Sequence, residues 1–175
     1  MIILVAGVHG VGKSYLCSEY AKHSGVNHKS ASKIIKEQLS ESAWTNRLFA
    51  SDIEKNQKAL VSGIEKYKES GILLLDGHFV LINKNNQLVD IPIETYSSLN
   101  LSGIILIESD IETIKNRINN RDSSLPNIDF EQFINREHFN ATKVSLNLNL
   151  PLEILANPNQ LSFSESIDRI KKINK

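Results

Sequence analysis

Gly7-Val8-His9-Gly10-Val11-Gly12-Lys13-Ser14 is the stretch of this chain whose residue types and spacing point most directly to chemistry. It fits the phosphate-binding pattern G-x-x-x-x-G-K-[ST] and directly follows the apolar run Ile2-Ile3-Leu4-Val5-Ala6. Glycines here let backbone N–H groups point at phosphate oxygens with no Cβ in the way. The positive end of a helix starting near Lys13 adds to that anion site. Gly7, Gly10, Val11, Gly12, Lys13 and Ser14 are therefore the expected nucleotide-binding residues. Lys13 supplies a point charge for β/γ-phosphates, and the Ser14 hydroxyl is the expected magnesium ligand. His9, at a variable position of the pattern, reads as tolerated rather than catalytic.

A second apolar run, Ile72-Leu73-Leu74-Leu75, ends in Asp76-Gly77-His78. An acidic residue at the carboxyl end of a strand beside a phosphate loop can orient magnesium through its water shell, the role favoured here for Asp76 over capping a turn. For His78 two readings stand side by side, structural support of the Phe79 segment or positioning of water or acceptor. Arginine use is the other pattern: five arginines against fifteen lysines, with Arg117, Arg121 and Arg136 in one stretch. A planar guanidinium matches phosphate geometry as lysine does not. Arg121 is read as a functional group on a closing segment. Arg117 and Arg136 are read equally as charge stabilisers or as helix-end charges pairing with Asp122 and Glu137.

On the acceptor side, Ser30-Ala31-Ser32-Lys33 opens a helix. It either holds an acceptor phosphate or is an ordinary N-cap. The polar segment from Ser40 to Lys68, with Trp44, Arg47 and Gln57, is compatible with a flap over the acceptor, while Leu60 to Tyr67 reads as a helix face on the core.

These residues need elements to carry them. Strand-length apolar runs recur at Ile2–Ala6, Ile72–Leu75, Ile104–Ile107 and Leu152–Leu155, with a weaker strand around Val26–Lys29. Continuous apolar runs suit strands covered on both faces. Helix starts are read as capping boxes at Ser51-Asp52-Ile53-Glu54, Ser109-Asp110-Ile111-Glu112 and Ser162-Phe163-Ser164-Glu165. The alternation predicts an α/β fold of about five parallel strands with helices on both faces. Phe79 to Ile93, with Asn83-Lys84-Asn85-Asn86, predicts a small hairpin, and Arg121 to Asp129 a polar loop between two helices.

The length of 175 residues suits one domain. Lys+Arg and Asp+Glu both total 20, which argues against nucleic acid as the main partner. No run is long and apolar enough to span a membrane, and the N-terminal stretch reads as a core strand rather than a signal peptide. The single cysteine, Cys17, fits a reducing cytosol and a small buried helix position. A monomer or small homo-oligomer in the cytoplasm is expected, with a protein partner left open.

Taken in order, these motifs resemble the small adenylate kinases of the archaeal and eukaryotic nuclear type, within the phosphate-loop nucleoside monophosphate kinases. The resemblance runs nearly end to end. GVHGVGKS corresponds to the glycine loop, with His9 in place of its central proline. LLLDGH matches a strand followed by Asp-x-His, and Asp90-Ile91-Pro92 a short Leu-Pro element. ILIES leads to KNRINNRD, similar to the helix and start of a short lid at about 117–129, and Leu155-Ala156-Asn157 resembles a strand end near the donor's adenine. The chain departs from the family at Ser32-Lys33, where many relatives carry an acidic residue, and at Asn140-Ala141-Thr142, which lacks a further arginine and is followed by Lys143.

The resemblance implies a phosphate-loop three-layer sandwich that moves the ATP γ-phosphate, with Mg²⁺, to a nucleoside monophosphate. It places Gly10 to Ser14 and Tyr15 on the donor phosphates and Asn157 near the adenine. Arg121 would close from the lid, with Arg117 and Arg136 on the transferring charge beside Lys13. An acceptor flap would span about 30–57, with Ser32, Lys33, Arg47, Gln57 and His78 as acceptor residues. A nucleotide-binding switch with slow ATPase activity, and a kinase for a non-nucleotide small molecule, are the alternatives.

Overall fold

The computed structural model describes residues 1–39, 53–67, 71–83, 85–122 and 127–174, with the backbone alone at 53, 54, 121 and 122. Five parallel strands form one sheet in the order β2-β3-β1-β6-β7: β1 (Ile2–Ala6), β2 (Asn27–Ser30), β3 (Leu73–Asp76), β6 (Gly103–Glu108) and β7 (Leu152–Ala156). This is the phosphate-loop α/β sandwich expected from the sequence. Its central strands β1, β3 and β6 are apolar up to the acidic residues that end β3 and β6 and almost wholly buried, because helices cover both faces. The edge strand β2 reads Asn-His-Lys-Ser and is half-buried throughout, which is why its signal is weak.

Helix α1 (Lys13–Ser24) follows the phosphate loop and packs against α7 (Gln160–Ile173). The rings of Tyr20 and Phe163 meet edge to face, with centroids 6.1 Å apart. Helix α6 (Phe130–Leu148) packs on β6, β7 and the short α4 (Ile93–Ser98). The right-handed crossovers β1–α1–β2 and β6–α6–β7 run in opposite directions along the sheet, so α1, with α7 packed on it, and α6, with α4 packed on it, cover opposite faces. The buried rings of Phe79, Phe133 and Phe163 fill the layers between.

Helices α2 (Ala31–Gln38) and α3 (Ile53–Ile64) pack on each other beyond β2, and a 3₁₀ turn at Glu65–Tyr67 leads back to β3. The expected hairpin is present as β4 (Val80–Ile82) and β5 (Leu88–Asp90), antiparallel, with Asn83 Oδ1 accepting from the N–H groups of Asn85 and Gln87. Helix α5 (Ile111–Asp122) runs over the loop.

Two helix starts differ from the sequence reading. Asp110, not Ser109, caps α5 by accepting from Thr113 N–H, and Asn159, not Ser162, caps α7 by accepting from Ser162 N–H. Asp, Asn and Ser are comparable caps, so a serine-led box does not decide between neighbouring candidates. The box at Ser51–Glu54 lies outside the described residues and side chains, as do Ser40 to Asp52 of the expected flap and the 123–126 part of the expected polar loop.

The sheet places β1 between β3 and β6, so the chain departs from β1 in opposite directions on its two sides. Ligands of open α/β sheets sit beyond the carboxyl ends at such a switch point. Register puts Asp76 beside both Val5 and Ser30, so the loop after β1 and the start of α2 open onto the same crevice.

Candidate nucleotide site

Gly7 begins the loop at φ 140°, and a Cβ there would lie 2.3 Å from the Ile107 carbonyl oxygen. Both the backbone conformation and the close approach to β6 require glycine. Gly7→Ala is expected to destabilise the fold by more than about 3 kcal/mol, checked by urea denaturation. Gly12, at φ 102°, is the left-handed residue from which α1 starts, leaving the first N–H groups of that helix unpaired by any side-chain cap. Those donors and the helix's positive end make the anion site.

Lys13 is 6% exposed and turns back over the loop, donating from Nζ to Gly7 O at 2.7 Å and Val8 O at 3.1 Å. Ser14 Oγ donates to Asp76 Oδ2. Asp76 is likewise 6% exposed, with His28 Nε2 3.9 Å from the same oxygen. Burial alone would raise the Asp76 carboxyl. The nearby His28 imidazole, the Lys13 charge and the Ser14 hydrogen bond outweigh it and hold the group below the usual carboxylate range. A hydroxyl and an ionised carboxylate thus meet at the mouth of the anion site. They suit Mg²⁺, which keeps several waters and takes its remaining ligands from phosphates. Among the described residues no cluster of three or more His, Cys, Asp or Glu could hold a metal by itself.

His78 follows on the same strand end. Its ring centroid lies 4.1 Å from that of His9, and its Nδ1 is buried without a hydrogen-bond partner. Burial, then the charges of Lys13 and His9, push its pKa well below the ordinary value against a smaller opposing pull from the Gly7 backbone, so the imidazole is neutral.

Arg117 reaches back from α5 and donates from Nη1 to Val11 O at 2.9 Å and Gly10 O at 3.2 Å. Beneath the loop, Glu137 of α6 is 1% exposed. Its carboxylate accepts from the N–H groups of Gly7 (3.0 Å), Phe79 (3.0 Å) and Val80 (2.8 Å). Burial raises its pKa to about 7 against the pull of those donors and of Lys13.

A family model described as an AAA domain matches residues 6–134, from the end of β1 into α6. The chain belongs to the AAA domain family. The match is to a phosphate-loop, kinase-like family, in agreement with the sheet order and the loop geometry. No curated protein matches the chain. An unliganded crystal structure of a sugar kinase from Janibacter sp. HTCC2649 is similar at TM-score 0.60 and 15% identity, covering 98% of this chain and 94% of that one. An uncharacterized protein from Eubacterium ventriosum ATCC 27560 is similar at TM-score 0.51 and 12% identity, covering 98% of both chains.

Within this AAA domain the remaining sequence-derived residues fall in several places. Tyr15 is 64% exposed on the first turn of α1. Asn157, at φ 47°, follows β7 and accepts through Oδ1 from Ser109 Oγ at 2.5 Å, bringing the ends of β6 and β7 together. Ser32 and Lys33 are exposed on α2, and Ser32 Oγ lies 2.8 Å from Ser30 Oγ. Gln57 carries a buried Nε2 without a hydrogen-bond partner on the α3 stripe that includes Leu60 and Ile64. Arg47 lies outside the described residues. The backbone of Arg121 ends α5, and its side chain lies outside them too. No helix among the described residues is long and apolar enough to cross a membrane.

Arg136 is engaged with the hairpin. It pairs with Asp90 on β5 at 3.0 Å and donates to Leu88 O at 3.1 Å, so among the described side chains its partner is the hairpin and not Glu137; the Asp122 side chain lies outside them. This half-exposed pair latches the hairpin to α6. Arg136→Ala is expected to cost at most about 1 kcal/mol in urea denaturation, as half-exposed ion pairs do, and to leave the affinity for mant-ATP, a fluorescent ATP analogue, unchanged. Cys17 is buried, and burial followed by the nearby Asp76 pushes its thiol well up, as suits a packing residue.

Glu137 is the residue that sequence reasoning missed. It sits on the buried stripe of α6 in step with Phe130, Phe133, Ala141 and Val144. An acidic residue at a core position of a helix is itself a signal, since a buried carboxylate needs donors.

Proposed function

We propose that the protein is an ATP- and Mg²⁺-dependent phosphotransferase that moves the γ-phosphate to a small acceptor, with a nucleoside monophosphate as the leading candidate. The observation that carries this reading is the meeting of Ser14 and Asp76 beside a buried Lys13 at the mouth of the loop. Binding of phosphates gives the Lys13 ammonium a stronger partner than the two carbonyls it now holds, and the loop N–H groups turn toward the anion. Ser14 and Asp76 would hold Mg²⁺, which when bound neutralises phosphate charge and orients the phosphates. Arg117, already seated on the loop carbonyls, brings a guanidinium to the edge of the donor site, and Arg121 on the same helix would close from the lid. Catalysis by such a site is positioning and charge stabilisation, with little need for a strong base.

The nucleoside monophosphate is supported by the ordered motifs LLLDGH and KNRINNRD. A second reading, transfer to a hydroxyl of a non-nucleotide acceptor, is favoured by the likeness to a sugar kinase across nearly the whole of both chains. Coupled ADP release with ATP–Mg²⁺ and a panel of nucleoside monophosphates and sugars separates them. Strong stimulation by one monophosphate supports the first reading, and stimulation by a sugar alone supports the second. Tight ATP binding with stimulation by neither contradicts both and leaves a nucleotide-binding switch.

A further inference from the structure

We propose that Glu137 is a positioning residue that holds the two walls of the nucleotide site in register through one buried carboxylate. One wall is the phosphate loop. Glu137 Oε1 accepts from Gly7 N–H, and the carbonyl of that same glycine accepts from Lys13 Nζ, so the carboxylate fixes the residue on which Lys13 rests. The other wall is the end of β3. Phe79 and Val80 N–H donate to Glu137 directly after Asp76-Gly77-His78, anchoring the segment that presents Asp76 and His78. Gly7 and Phe79 lie 72 residues apart in sequence, yet their amides share Oε1. Three main-chain donors on two segments need an acceptor with several lone pairs, which a carboxylate has and a glutamine does not.

The charged and titratable groups that act on this carboxylate or border it are Lys13 from α1 and Tyr96 from α4, with the Glu108–His138 pair lining the same small cavity; Asp90 from β5 acts on Tyr96, and His9 on His78. Tyr96 ties in further, donating its hydroxyl to His78 O at 2.7 Å. Burial, followed by the negative charges of Glu137 and Asp90, keeps that phenol well above its ordinary pKa, so it stays a donor. Protonating Glu137 puts an O–H where N–H donors converge, so the anchor loosens as pH falls through about 7. The native carboxyl titrates above its ordinary value of 4.5, so the native state holds the extra proton between the two values. Stability from this group therefore falls as pH rises from 4.5 to about 7, while anchoring strengthens over the same window.

This inference rests on the nucleotide site and not on any acceptor, and its first test uses no nucleotide. In the nucleotide-free protein, the amide signals of Gly7, Phe79 and Val80 and the Glu137 carboxyl carbon are expected to titrate together, with one midpoint near 7. Separate midpoints, or no titration of the three amides, overturn the proposal. The second test is the affinity of Glu137→Gln for mant-ATP at pH above that midpoint. Removing a negative charge near Lys13 on electrostatic grounds alone would tighten binding. Loss of register is expected to weaken it by about tenfold or more, the scale of a charge-assisted hydrogen bond. Equal or tighter binding by the folded variant overturns the proposal, and if the variant does not fold, the titration of the unaltered protein decides.

Discussion

Lys13→Ala is expected to lower acceptor-dependent ADP formation from ATP–Mg²⁺ by roughly 10³-fold or more, with the fold retained. The magnitude follows from where the ammonium sits. It is buried at the loop, where a charge aimed at phosphate acts in a medium of low dielectric and with little reorganisation. The substitution also has an electrostatic signature inside the protein. Lys13 lowers the pKa of both Asp76 and Glu137, so removing it should raise both carboxyls, moving Glu137 above its value of about 7. Carboxyl-carbon titration checks this independently of activity. Leaving the carbonyls of Gly7 and Val8 without the donor they share should cost about 1–3 kcal/mol in stability. Unchanged turnover, or carboxyl titrations that do not move, would remove Lys13 from the role given to it.

Asp76→Asn is expected to lower the same turnover by roughly 10²- to 10³-fold while sparing the binding of metal-free ATP. Asparagine keeps the shape and can still accept from Ser14, but it brings no charge to a cation. Binding of ATP without Mg²⁺ should stay level or tighten, since a negative charge leaves the neighbourhood of the phosphates. The variant should therefore show a weakened response to Mg²⁺ and not a general loss of nucleotide affinity. Isothermal titration with and without the metal reads this directly. Stability carries a matching signature. The folded-state pKa of Asp76 lies below its ordinary 3.8, so its ionised form contributes stability above that value and loses it as pH falls through the folded value. The asparagine variant lacks that contribution, and its acid limb should be shallower in urea midpoints followed from about pH 6 to pH 2.

How much of this was legible in the chain depends on what each residue faces. The runs around Leu4, Leu74 and Ile105 read as buried parallel strands because both faces of the sheet are covered, leaving no polar alternation to confuse the signal. The Asn27–Ser30 strand was barely legible because it lies at the edge and carries His28 toward Asp76. The loop and Asp76 were legible because their chemistry demands those residue types in that order. Helix starts were legible to within a few residues, since Asp110 and Asn159 compete with Ser109 and Ser162 for the same role. Arg136 shows the limit of composition. Its neighbours in sequence suggested phosphate or local pairing, and only the fold brings Asp90 to it from 46 residues away. Glu137 shows another limit, because acidic residues on helices are ordinarily solvated and its three donors come from distant backbone.

As proposed, the protein transfers phosphate and does not merely bind or slowly hydrolyse ATP. The most direct test follows the label of ATP carrying a radioactive γ-phosphate, incubated with Mg²⁺, the protein and each candidate acceptor in turn. The expected result is label in a new phosphorylated small molecule, formed with equimolar ADP and lost in Lys13→Ala. Label appearing only in inorganic phosphate with every acceptor, or remaining in ATP despite tight binding, would contradict phosphate transfer.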